Sequence, residues 1–150
     1  PMHSDLEVIA QKTEPLILAV PTSHPLNALK RPVHIHELVD YRIGIMPVGY
    51  GFRQLLDSEL VKSQCMLRNI GLTTNSIATL KNYVISGHGI AVMRHADIHD
   101  AVAAGKATAL KMDSHFFNTA KTRLMVRKNS SISESTHLLI DKIKTSFHLA

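Results

Sequence analysis

The sequence predicts an α/β domain, with short apolar strands alternating with amphipathic helices along one chain of 150 residues. Three stretches carry that prediction. Leu16 to Val20 is an unbroken apolar run between Pro15 and Pro21, which reads as a strand buried on both faces. Phe52, Leu55, Leu56, Leu60 and Val61 recur at helical spacing. Finally, Ile77, Leu80, Val84 and Ile85 form one helical stripe, closed by Gly87, and a second buried run follows at once from Ile90 to Met93. Strands and helices that alternate in this way argue for a mostly parallel sheet.

The remaining elements follow in order. "LEVIA" near the start reads as a short strand, and His36 to Val39 as a helical turn before a strand at Arg42 to Met46. Met66 to Leu72 reads as a further strand, after which Asn75 or Ser76 caps the helix already described. "HADIHDAVAAG" gives a short helix ended by Gly105, and "KATALKM" a strand with alternating faces. "DSHFFNT" is a polar connection to a strand in "KTRLMVRK". The last helix carries a capping box from Ser131 and Glu134, with Ile132, Leu139, Ile140, Ile143 and Phe147 on one stripe.

Composition narrows the function classes. With 45% hydrophobic and 19% charged residues, the chain is globular in character. No apolar run reaches membrane-spanning length, and Asp5 and Glu7 lie where a signal peptide carries its apolar core, so a cytoplasmic protein is expected. The net charge of +5 is scattered among acids, which fits a solvated surface better than a nucleic-acid-binding arm. Cys65 is the only cysteine; no intrachain disulfide can form, and its apolar neighbourhood suits a structural thiol.

Ten histidines raise the question of a metal, for which His34 with His36, and His95 with His99, are the best-spaced pairs. Neither pair has a Glu-x-x-His or Cys partner at a recognised spacing, so surface histidines and no resident metal or cofactor are expected. The Gly-x-Ser-x-Gly elbow, the phosphate-binding loop and the dinucleotide fingerprint are all absent from the sequence. Gly87-His88-Gly89 follows a helix, so it lacks the helix N-terminus that holds a phosphate.

Two loops stand out. Residues 46–52, "MPVGYGF", and residues 73–76, "TTNS", each join the C-terminal end of a strand to a helix N-terminus. Ligands bind at such strand ends in open α/β sheets, and helix N-termini there favour a carboxylate or other small anion. Gly49 and Gly51 let the backbone come close, while Thr74, Asn75 and Ser76 offer side-chain donors. The plainer reading is that both are turns and caps.

The order of these pieces resembles the effector-binding half of LysR-type transcriptional regulators. The features that carry the resemblance are His24-Pro25-Leu26 after a strand, Leu38 before the next strand, the turn from Gly49 to Arg53, and a helix ending in Gly87 to Ile90. The sequence departs from the pattern at Arg94, where a proline is usual, and at Tyr50, where a small polar residue is common.

The resemblance implies a two-lobed fold like that of type 2 periplasmic binding proteins, with the effector between lobes. Residues 26–116 would form a complete second lobe, while 1–25 and 117–150 would supply crossing strands and part of the first. The helix-turn-helix, the linker helix and the start of lobe one would lie upstream of Pro1. The implied effector wall is Gly49, Tyr50, Gly51, Phe52, Arg53, Thr74, Asn75 and Ser76, with Met93 and Arg94 at its rim. Arg53 would either pair with the effector or anchor its helix.

The resemblance further implies a non-catalytic sensor that works as a homodimer or higher oligomer and reaches DNA only through the helix-turn-helix. Two rivals share the architecture: a prephenate dehydratase-like lyase and a solute-binding transport protein. The lyase would need an acid or base that the two loops do not contain.

Overall fold

A computed structural model describes residues 5–150. Leu16–Pro21 forms strand β2, and Leu16, Leu18, Ala19 and Val20 are each no more than 1% exposed, as an apolar run without alternation requires. The chain next makes two 3-10 turns, Pro25–Ala28 and Ile35–Asp40, and enters β3, Ile43–Ile45. Helix α1 spans Gly51–Lys62, β4 Ile70–Thr73, α2 Ile77–Ile85, β5 Ile90–Arg94, α3 His95–Ala103 and β6 Ala107–Lys111. The helical turn α4, His115–Asn118, completes the larger of two compact units, residues 15–119.

Its sheet has the order β4-β3-β5-β2-β6. β3 runs parallel to β4 and β5, whereas β2 is antiparallel to β5 and β6. The sheet is therefore mixed, which corrects the expectation of a mostly parallel one. The cause lies in β2 alone. β3, β4, β5 and β6 all point one way, joined in turn by α1, α2 and α3, and β2 is inserted in the opposite sense between β5 and β6.

The core forms where small and branched side chains interlock. Ala19, Ala91 and Met93 of the sheet pack against Leu80 and Val84 of α2 and Ile98 and Ala101 of α3. Burying Leu80 or Ile98 fully contributes about 1.5–3 kcal/mol each. Val92, which alternates with Ala91 and Met93, lines a small cavity with Phe52 and Leu56, so α1 lies on the opposite face.

Tyr83 of α2 lies against Gly44, Gly71 and Gly89, in β3, in β4 and just before β5. A Cβ at Gly44 would come within 2.8 Å of Leu80 Cδ1, and one at Gly71 or Gly89 would collide with Tyr83 and Arg42.

Several expectations need correction. β4 starts at Ile70 instead of Met66, because its partner β3 offers only three residues to pair with. "DSHFFNT" is no polar connection: Ser114 caps α4, and Phe117 is fully buried.

The second unit comprises residues 5–14 and 120–150 among those described. In it β1, Leu6–Thr13, pairs antiparallel with β7, Lys121–Arg127, with an irregularity between Val8 and Ala10. Helix α5, Glu134–Phe147, is capped by Ser133, whose Oγ accepts from Thr136 N at 3.2 Å, and not by Ser131. Only Ile140 of its expected stripe is buried; Leu139 and Phe147 are more than half exposed. His148 turns left-handed, and Ala150 pairs with Gln11 through two backbone hydrogen bonds.

Candidate functional site

The C-terminal ends of β4, β3 and β5 lie side by side, so the connections after them meet at one edge of the sheet. Thr74 N donates to Ile45 O at 3.0 Å, which fixes the 73–76 loop beside the end of β3. Arg94 at the end of β5 places its guanidinium carbon 5.8 Å from the Phe52 ring centroid. The expected wall residues from all three connections are thus brought together, on one unit.

Each loop has its own construction. Gly49, at φ +99, makes a turn that a side chain would strain, and nothing crowds it. Tyr50 stands at the N-cap of α1 with no side-chain cap, and the first turn of α1 carries no acid. The first amide satisfied within the helix is Gln54 N, which donates to Tyr50 O. A 12-residue helix thus directs its uncapped amides, with the positive end of its dipole, at the sheet edge. Val48 and Tyr50 are 78% and 41% exposed there, so the rim is apolar and aromatic around that positive end.

The 73–76 loop is spent partly on capping. Thr74 Oγ1 accepts from Ser76 N at 3.1 Å, and Ser76 Oγ accepts from Thr79 N at 3.2 Å. Both hydroxyl protons remain for donation. Asn75 is exposed and its side chain makes no hydrogen bond among the described residues.

Arg53 is held by its own helix and by the preceding loop. Its Nε donates to both oxygens of Asp57, at 2.8 and 2.9 Å, and its Nη1 to Met46 O at 3.1 Å. Arg94 forms a two-point pair with Asp97, at 2.9 and 2.7 Å. Met93 must be corrected: it is fully buried within the core cluster, so its side chain offers nothing to a ligand at the rim. The cavity beneath the loop, bounded by Gly44, Met46, Phe52, Arg53 and Val92, measures about 10 Å³ and holds at most one water. A ligand here would therefore sit on the edge and not under it.

A larger, mostly apolar groove of about 440 Å³ runs along α1 from Arg53 and Asp57 to the edge strand β4, lined further by Leu60, Val61, Cys65, Met66, Leu67 and Ile70. Of its lining, the sequence pointed only to Arg53 as a ligand contact, because the others read as ordinary core positions; the exposure of Val61 and Met66, 77% each, reveals it. Among the described residues no group of three or more His, Cys, Asp or Glu is placed to hold a metal. No helix among them is long and apolar enough to cross a membrane.

Comparisons with known proteins agree with this architecture. No curated protein sequence matches the chain. Among solved structures, the effector binding domain of QuiR in complex with shikimate superposes with a TM-score of 0.75 at 20% identity, covering 93% of this chain and 64% of that one. The regulatory domain of CcmR from Synechocystis PCC6803 in complex with 2-PG gives 0.77 at 21% identity, covering 97% and 69%. A reduced form of OxyR from N. meningitidis gives 0.71 at 17%, covering 97% and 66%. This chain thus spans under two thirds of the QuiR domain. The model of the LysR substrate binding domain matches residues 1–147, and the chain belongs to that family.

Proposed function

We propose that this chain is the ligand-sensing part of a cytoplasmic LysR-type transcription regulator, without catalysis of its own. Residues 26–116 are the body of one lobe, and the edge formed by Gly49 to Arg53, Thr74 to Ser76 and Arg94 is its effector wall. The effector is a small anion, a carboxylate first of all. In the full-length regulator, effector binding shifts the population of lobe arrangements, and through them the placement of DNA-binding domains in an oligomer.

The observation that carries this reading is the uncapped N-terminus of α1 at the sheet edge, with no acid in its first turn. Backbone amides there supply donors and a positive potential, and an anionic group satisfies both. Shikimate in QuiR and 2-PG in CcmR make those two compounds the first probes. Against the lyase reading, the two loops hold neither a histidine nor a carboxylate to move a proton.

The test is calorimetric titration of shikimate, 2-PG and a panel of small carboxylates into the wild type and into Asn75→Ala and Thr74→Ala. Binding weakened about fivefold or more in both variants supports the placement, as expected for loss of one hydrogen bond to a charged group. Equal affinity in all three proteins would refute it.

A further inference from the structure

The two histidine pairs noted in the sequence fare differently in three dimensions. His34 and His36 stack at 5.3 Å with ring planes only 10° apart, and His34 Nδ1 lies 2.9 Å from Asp113. Parallel stacked rings cannot aim two lone pairs at one point. His95 and His99 instead lie one turn apart on α3, both exposed, with ring centroids 5.6 Å apart and planes inclined by 40°. Two imidazoles sharing one ion at roughly 2.1 Å hold their centroids about 5 Å apart, so a small side-chain adjustment brings both to bear.

We infer that His95 and His99 form a two-histidine chelate for a late first-row divalent cation, Zn2+, Ni2+ or Cu2+. Imidazole nitrogen is the ligand these ions take readily, and two nitrogens leave the other coordination positions to water or an oxygen donor. The neighbouring charges leave the field near neutral. Asp97 is matched by Arg94, and Asp100 by Lys81 Nζ at 2.6 Å from α2.

The pair opens α3 directly after Arg94, next to the sheet edge described above. An ion held there would therefore stand beside that edge, but its binding does not depend on the effector reading and is measured without an effector.

Titrating zinc chloride, and separately nickel chloride, into the chain at pH 7.5 by calorimetry tests the inference. One ion per chain at micromolar affinity is expected, weakened tenfold or more by His95→Ala and by His99→Ala, and unchanged by His34→Ala. Both substitutions are at exposed positions, and circular dichroism checks that the fold survives. Affinity that is only millimolar, or that is unchanged in His95→Ala and His99→Ala, would overturn it.

Discussion

Tyr83 shows how a single side chain fixes the backbone around it. Its ring occupies the space left by Gly44, Gly71 and Gly89, while its hydroxyl is buried without a hydrogen-bond partner among the described residues. Burial also raises its pKa, with the Arg42 charge opposing the shift. An unsatisfied buried hydroxyl costs about 1–3 kcal/mol, so Tyr83→Phe should raise the urea midpoint. Gly89→Ala should destabilise the fold by about 2 kcal/mol or more, because the new Cβ meets the Arg42 carbonyl, which has no rotamer by which to move aside. If Gly89→Ala were as stable as wild type, the packing described around Tyr83 would be wrong. The sequence left the role of Arg53 open between effector and anchor, and the structure adds the contacts to Asp57 and Met46 O that an anchor makes.

At the scale of elements, caps are where sequence and structure part most instructively. Ser131 and Ser133 both precede α5, and pattern alone favoured the first through its spacing to Glu134; the helix is instead capped two residues later, on Ser133. Ser133→Ala should therefore cost about 1 kcal/mol by chemical denaturation and Ser131→Ala close to nothing.

The 3-10 turn at Ile35–Asp40 adds a pH signature. Glu37 accepts from His34 N at 2.8 Å and from both terminal nitrogens of Arg31. Arg31 above all draws the Glu37 carboxyl from 4.5 down to about 2. A carboxylate depressed in the folded state lends stability that is present above its unfolded pKa and fades as pH falls from about 5 toward 2. In Glu37→Gln the loss of stability across that window should be smaller than in wild type, as urea midpoints at pH 6 and pH 3 will show. Helices and buried strands were legible because periodicity reports burial. Edge strand β4 and the turn at α4 were not, since their limits depend on a three-residue partner and on Phe117 reaching a core that no local pattern reveals.

At the scale of the molecule, the order of strands and loops sufficed to recognise the family, which the match over residues 1–147 establishes. It also placed the expected loops at one edge, because the connections that follow parallel strands emerge on one side, and β3, β4 and β5 share a direction. What it could not supply was side-chain facing: Met93 was placed at the rim when the period-two alternation of β5 turns it into the core beside Ala91. The mixed sheet escaped for the same kind of reason, since nothing in "LILAVP" states the direction in which β2 is inserted. The central claim is that the edge at Gly49–Arg53 and Thr74–Ser76 receives a small anion, and the most direct measurement is an amide chemical-shift map of the labelled chain titrated with shikimate and a panel of small carboxylates. One of these ligands should move the amides of 49–53 and 74–76 first and furthest. Shifts concentrated instead along the groove at Val61 to Ile70, or none at millimolar ligand, would contradict it.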